Sequence, residues 1–109
     1  MITVQINIPL YSNTGENLRT IHKKVGNYLA DKVGGYTVWE AIGYWKAADG
    51  FEYKERLGIY QFSMEGHTTN KVKARAVTVG LANWLLTHGE QVAVYYSIDG
   101  VATIQEGVL

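Results

Sequence analysis

The sequence predicts an α+β fold in which two helices cover one face of an antiparallel sheet. Three observations support it: apolar residues alternate near the amino terminus, they recur with a helical period in two later segments, and two Asp-Gly pairs mark hairpin turns. The resulting order is β-α-β-β-α-β followed by a short terminal edge strand, which is the ferredoxin-like sandwich. We expect residues 1–109 to form a single domain, because a chain of this length can bury one modest core.

The first strand and the first helix have the clearest patterns. Apolar side chains at Ile2, Val4, Ile6 and Ile8 alternate with polar ones, which is typical of a half-buried strand that stops near Pro9. A helical period follows over residues 16–33. Two glycines at 34–35 are expected to end this helix, since glycine readily adopts the left-handed conformation found at helix ends.

The centre of the chain is predicted to be a β-hairpin with arms at residues 36–46 and 51–64, both rich in aromatic and β-branched residues. A second helix is expected at about residues 71–87, with a strand at 91–97 after it. Asp99-Gly100 then predicts a second hairpin turn into an edge strand at 101–105.

The turn of the central hairpin determines which side chains meet across it. Asp49-Gly50 predicts a two-residue type I′ turn, because that turn needs positive φ at both central residues. In this register Tyr44 lies directly opposite Glu55. Directly opposed side chains have β-carbons roughly 4.5–5.5 Å apart. The same register pairs Ile42 with Leu57.

Glu55 is the residue most in need of an explanation. Tyr53 and Leu57 are its same-face neighbours along the strand, and burying an unpaired carboxylate is costly. A carboxylate bordered by phenols and aliphatic groups suits a cationic, partly flat ligand, because it can pair with an ammonium or sulfonium while a ring stacks on a base. We therefore expect Glu55 and Tyr44 to bind such a ligand. The candidate ligand contacts are Tyr53, Ile42 and Leu57.

A structural role for Glu55 is the alternative. The carboxylate could instead pair with Arg56, with Lys54 or with a lysine of another subunit. Residue types alone leave both interpretations open.

Composition argues against several classes of function. Ten basic residues balance ten acidic ones, so the chain lacks the basic excess of a non-specific nucleic-acid binder. It has no cysteine, its three histidines share no metal-ligand spacing, and no phosphate-binding glycine motif occurs. We expect no metal and no cofactor. No apolar run approaches the roughly 20 residues that span a bilayer and no signal peptide is recognised, so we expect a cytoplasmic protein without a membrane partner.

Large apolar side chains on the central hairpin predict an oligomer. In the expected register, Trp39 and Trp45 lie on one face of the hairpin, whereas Ile42, Leu57 and Ile59 lie on the other. Two helices can cover only one face of the sheet. Small folds of this type commonly bury the remaining surface against other subunits.

The hairpin also resembles that of a known family, the bacteriophage enzymes that degrade S-adenosylmethionine (SAM). These enzymes are often called SAM hydrolases, and at least part of the group acts as carbon–sulfur lyases. The residues that carry the resemblance are Gly35-Tyr36-Thr37, Gly43-Tyr44-Trp45, Gly50 and Glu55. Residues 71–96 are similar to the second helix and fourth strand of that family. A similar Gly-x-Trp hairpin occurs in a small-domain family of unknown function.

The resemblance implies a fold, a reaction and a site. It implies a PII-like homotrimer with ligand clefts between subunits beside the hairpin, acting in the cytoplasm of the phage host. It ties activity to the tyrosine and glutamate that correspond to Tyr44 and Glu55. The implied reaction splits SAM into 5′-methylthioadenosine and homoserine lactone when the substrate's own carboxylate attacks its γ-carbon.

Three alternatives to the lyase remain open. Glu55 could activate water, which would make the protein a hydrolase. A non-enzymatic PII-like sensor would bind an adenine nucleotide or SAM between subunits, although a glutamate in the cleft repels polyphosphates. An interaction protein would use the uncovered sheet face to bind another protein.

Overall fold

A five-stranded antiparallel sheet is the central element of the computed structural model, which describes residues 1–12, 14–89 and 91–107. Its strands lie in the order β2-β3-β1-β4-β5, and both helices pack on one face, which confirms the predicted α+β fold. The elements in chain order are β1 (Ile2–Pro9), α1 (Arg19–Val33), β2 (Thr37–Lys46), β3 (Glu52–Met64), α2 (Thr68–His88), β4 (Ala93–Ile98) and β5 (Val101–Glu106). No helix in these described ranges is long and apolar enough to cross a membrane.

The core lies between the helices and the sheet face that they cover, which we call the helix-side face. The apolar residues of β1 alternate with partly exposed ones, as predicted, and all four are essentially buried. Full burial of such a side chain stabilises the fold by about 1.5–3 kcal/mol. The buried apolar residues around them are Val25, Leu29, Tyr60, Phe62, Ala74, Val77, Leu81, Ala82, Leu85, Val94 and Tyr96.

The uncovered face of the sheet, which we call the open face, is polar over β1 and apolar over the hairpin. On the polar part, the Gln5 side-chain amide donates a hydrogen bond to Gln61 at 2.8 Å. Towards the hairpin, Trp39 and Ile59 are directly paired across β2 and β3 on the same face. Apolar side chains of the open face therefore lie on the hairpin and, at the other edge of the sheet, at the pair Tyr95 and Ile104.

The first helix begins three residues later than predicted. Tyr11 forms an isolated β-bridge with Asn17, and the Ser12 amide donates to the Glu16 carbonyl at 2.8 Å. Because residues 16–17 pair with residues 11–12, which follow β1, the helix starts only at Arg19. The Arg19 amide donates a hydrogen bond to the Asn17 side-chain oxygen at 2.7 Å. Tyr11 and Ser12 are thereby held beside the sheet.

His22 links α1 to the sheet. Its Nε2 lies 2.7 Å from the Pro9 carbonyl oxygen and its Nδ1 lies 2.5 Å from the Tyr60 hydroxyl. Since a carbonyl oxygen only accepts, Nε2 donates to Pro9, and the Tyr60 hydroxyl donates to Nδ1. Burial, with the nearby Tyr36 as a smaller cause, raises the pKa of Tyr60 to about 12, which keeps it a donor. This histidine therefore has a structural role.

The two Asp-Gly pairs form different turns. Ile98 is paired with Val101, and both Asp99 and Gly100 have positive φ (50° and 80°), as predicted for a two-residue turn. In the central hairpin only Gly50 has positive φ. There the Ala47 amide donates to the Phe51 carbonyl at 2.9 Å, so the loop contains the three residues 48–50.

Tertiary contacts account for this difference. Asp99 is held by β1: its carboxylate accepts from the Thr3 amide at 2.8 Å, and its own amide donates to the Thr3 carbonyl at 2.8 Å. The Asp49 carboxylate makes a local contact, accepting from the Phe51 amide at 2.9 Å. A local contact of this kind is compatible with negative φ and with the three-residue hairpin loop.

The predicted register of the central hairpin is wrong by one residue. Tyr44 is paired with Lys54, and Glu55 is paired with Gly43. Because side chains alternate between faces, this one-residue shift places Tyr44 and Glu55 on opposite faces. Ile42 likewise lies on the helix-side face, away from Leu57. Leu57 and Ile59 share the open face with the two tryptophans of β2, contrary to the predicted distribution.

Candidate functional site

The candidate site is a cleft on the open face beside Glu55. Two adjoining cavities of about 370 and 610 Å³ meet there, within the usual size range of ligand pockets. Their walls come from the hairpin, from the segment after β1 and from the residues just before β4. Both cavities are lined by Tyr11, Ser12, Trp45, Glu55 and Val92.

Glu55 is the chemically distinctive residue of this cleft. Burial raises the pKa of its carboxyl group above the ordinary value of 4.5. In the described ranges, the two ion pairs are Arg56–Glu40 and Lys32–Asp31, so Glu55 belongs to neither. A partly buried carboxylate of this kind favours binding of a cation, because pairing offsets the cost of its desolvation.

The two cationic neighbours that the sequence offered to Glu55 also line the larger cavity, but the described ion pairs join neither of them to Glu55. Arg56 forms its ion pair with Glu40 at 2.8 Å, beside a separate cavity of about 500 Å³ that borders α1. Lys54 is directly opposite Tyr44 on the helix-side face. In that 500 Å³ cavity the charges of Arg56 and Glu40 already neutralise each other, so the Glu55 cleft is the stronger candidate site.

Aromatic rings extend from the cleft towards the hairpin tip. Trp45 is directly opposite Tyr53, and the two rings stack with centroids 4.2 Å apart and planes 11° apart. Phe51 contacts Tyr53 edge-on at a centroid distance of 4.9 Å. Trp45 remains 53% exposed despite the stack. The cleft therefore combines a carboxylate with an ordered aromatic surface.

Three of the five predicted site residues lie in this cleft. Glu55 and Leu57 line the first cavity, and Glu55 and Tyr53 line the second. Tyr44 and Ile42 point to the other face of the hairpin, where they are 72% and 52% exposed. Within one chain, the structure does not bring Tyr44 and Glu55 together.

Sequence reasoning missed Tyr11, Ser12, Trp45 and Val92. Trp45 was missed because the wrong register placed it on the face away from Glu55. Tyr11 and Ser12 reach the cleft through the pairing of residues 11–12 with 16–17, for which no local pattern was evident. No group of three or more histidine, cysteine or acidic side chains suited to a metal occurs in residues 1–12, 14–89 and 91–107.

Comparison with known proteins identifies the fold. No protein-family model and no curated protein matches the sequence. A phage SAM lyase in complex with S-methyl-5′-thioadenosine matches with a TM-score of 0.71, and a phage SAM lyase in its apo state matches with 0.64. Each is 13% identical, and each match covers 97% of this chain and 89% of the other. The chain therefore has the fold of the phage SAM lyases, which confirms at the level of fold the resemblance seen in the hairpin.

Proposed function

We propose that this protein is a SAM lyase that forms 5′-methylthioadenosine and homoserine lactone in the cleft beside Glu55. The observation that carries the proposal is a partly buried carboxylate with no described ion-pair partner, in a ligand-sized cleft of the phage SAM lyase fold. Incubation of the purified protein with SAM, followed by chromatography of the products, tests it.

The α-ammonium of the substrate complements the carboxylate of Glu55. SAM carries a sulfonium, an α-ammonium and an α-carboxylate. Glu55 holds the α-ammonium in the proposed complex, with a charge-assisted hydrogen bond that offsets the desolvation of its carboxylate. Tyr53 and Leu57, which line the cleft on either side of Glu55 along β3, contact the remainder of the substrate.

The proposed reaction needs no nucleophile from the protein. The α-carboxylate oxygen attacks the γ-carbon of the same molecule, the carbon–sulfur bond breaks, and its electron pair stays on sulfur as a neutral thioether. The lactone keeps the ammonium, so the net charge of +1 is conserved. Holding the methionine chain in the attacking conformation lowers the barrier by several kcal/mol, or about 7–11 kcal/mol in the most favourable cases. A cleft that excludes water favours the step, because sulfonium and carboxylate charges are lost together.

Tyr44 and Ile42 enter the proposal through a second subunit. Both side chains are large, more than half exposed and carried by the edge strand β2, on the face away from Glu55. A homotrimer with its clefts between subunits would place them against another copy. We infer that Tyr44 acts with the Glu55 of that copy, since one chain alone keeps the two apart.

Isotope labelling separates the lyase from the hydrolase. In water enriched in oxygen-18, the lyase route leaves the lactone ring oxygen unlabelled, because that oxygen comes from the substrate carboxylate. Later opening of the lactone at its carbonyl labels only the carboxylate of homoserine. We therefore expect mass spectrometry of fragments to find an unlabelled γ-oxygen. Label at the γ-hydroxyl of homoserine would show that water attacks the γ-carbon, with Glu55 as its general base.

A further inference from the structure

We propose that the purine ring of the substrate stacks on Trp45, and that Gly43 leaves room for the Leu57 side chain, which lines the cleft beside it. This inference rests on the proposed function and adds the binding site for the base. Glu55 then binds the cationic end of the same molecule, since Trp45 and Glu55 line the same two cavities.

Trp45 is ordered before any ligand arrives. Its indole stacks on Tyr53 at 4.2 Å and remains 53% exposed, so part of the ring surface is available to the cleft. An aromatic ring that is already fixed loses little conformational freedom when a second ring stacks on it. Every nucleobase offers a π-face for such a contact.

Gly43 supplies the second, independent observation. It lies within β2 directly opposite Glu55 and is not among the described glycines with positive φ. Its backbone therefore does not require glycine, and a glycine inside a strand weakens the strand. Such a glycine often marks a place where a ligand or another backbone approaches closely. A β-carbon there would lie 3.1 Å from Leu57 Cδ1, so a side chain would press on the end of a residue that lines the cleft.

Binding of 5′-methylthioadenosine distinguishes base stacking from cation binding. Trp45 could instead contact the sulfonium through a cation–π interaction. 5′-Methylthioadenosine carries the purine and lacks both the sulfonium and the ammonium. Weaker binding of this neutral molecule by a Trp45 variant therefore reports loss of the base contact.

The experiment measures the affinity for 5′-methylthioadenosine by calorimetry in the wild type and three variants. Trp45→Leu should bind about 5- to 150-fold more weakly, which is the range measured when an aromatic side chain that stacks on a base is removed. Gly43→Ala should also bind more weakly, because its methyl group presses on Leu57, which lines the first cavity. Trp39→Leu is the matched control and should bind like the wild type, since Trp39 lies on the same face of β2 as Trp45 and lines neither cavity.

Each other outcome has a defined meaning. A folded Trp45→Leu variant that binds 5′-methylthioadenosine as tightly as the wild type overturns the stacking site. This holds even if the same variant binds SAM more weakly. If Trp45→Leu does not fold, unchanged affinity in Gly43→Ala overturns the proposal. The lyase assignment survives these results as long as the wild type cleaves SAM. A wild type that neither cleaves SAM nor binds 5′-methylthioadenosine overturns both.

Discussion

Glu55→Gln should lose most activity toward SAM while the protein stays folded. Glutamine keeps the size of the side chain and its ability to hydrogen-bond, and it removes the negative charge that holds the ammonium in the proposed complex. Loss of a charge-assisted contact worth about 1.5–3 kcal/mol lowers kcat/KM roughly ten- to hundredfold, and more if the contact strengthens in the transition state. Steady-state kinetics on the purified variant measure this loss.

A matched control separates the site from the hairpin as a whole. Glu52→Gln makes the same substitution on the same strand, at an exposed residue that lines neither cavity, and should keep wild-type kinetics. Full activity in a folded Glu55→Gln variant would show that the site has been assigned to the wrong residue.

Glu55→Gln should also change the pH dependence of both stability and activity. Burial raises the pKa of Glu55 in the folded state, so the folded protein binds this proton more tightly than the unfolded chain. The stability that this proton contributes is complete below the pKa of Glu55 in the unfolded chain. It is lost as the pH rises through the pKa of Glu55 in the folded protein. Glutamine cannot ionise, so the variant should melt at least as high as the wild type at pH 7. In the wild type, kcat/KM should fall at acidic pH as Glu55 is protonated, with a midpoint above pH 4.5. The variant should lack this fall.

Inactive variants of Tyr44 and Glu55 should restore activity when they assemble together. Tyr44→Ala removes the phenol and Glu55→Gln removes the charge, on opposite faces of one hairpin. If Tyr44 and Glu55 of one cleft come from different subunits, each of them is native in about half of the clefts of an equal, random mixture. About a quarter of the clefts then contain both native residues. Co-expression of the two variants, followed by kinetics on the mixed oligomer, measures the recovery.

The oligomeric state is measured on the same samples. Light scattering should report a trimer for the wild type and for each variant, because both substitutions leave Ile42 and the apolar residues of the open face in place. No recovery in a verified mixed trimer would place both functions in one chain or show that Tyr44 takes no part. A stable monomer at micromolar concentration would remove the intersubunit site.

Local patterns were sufficient to predict the fold. The alternation from Ile2 to Ile8 determines which face of β1 is buried whatever its neighbours are, because side chains in a strand alternate between the two faces. The helical periods before Gly34 and Gly89 identify α1 and α2 in the same way. Such patterns depend on a few adjacent residues, so no knowledge of distant contacts was needed.

The site was only partly predictable, for a physical reason. Tyr53 and Leu57 flank Glu55 on one strand, so their common face does not depend on the register. Tyr44 and Ile42 lie on the other strand, and their faces depend on the length of one loop. An Asp-Gly pair is compatible with both a two-residue and a three-residue turn.

The contacts that select between those turns are tertiary. Asp99 takes the two-residue turn with hydrogen bonds to Thr3, whereas Asp49 makes a local contact to Phe51. Tyr11 reaches the cleft through a bridge to Asn17 that no local periodicity indicates. Sequence patterns therefore located the carboxylate and its own strand, and they did not locate the opposite wall.

The most direct test of the central claim is a chromatographic run of wild-type protein incubated with SAM, without added metal or cofactor. We expect 5′-methylthioadenosine and homoserine lactone to accumulate in equal amounts as SAM disappears, at a rate proportional to protein concentration. Unchanged SAM after prolonged incubation with folded protein would contradict the lyase assignment. Tight binding without turnover would then favour a small-molecule sensor, and the absence of binding would favour an interaction protein.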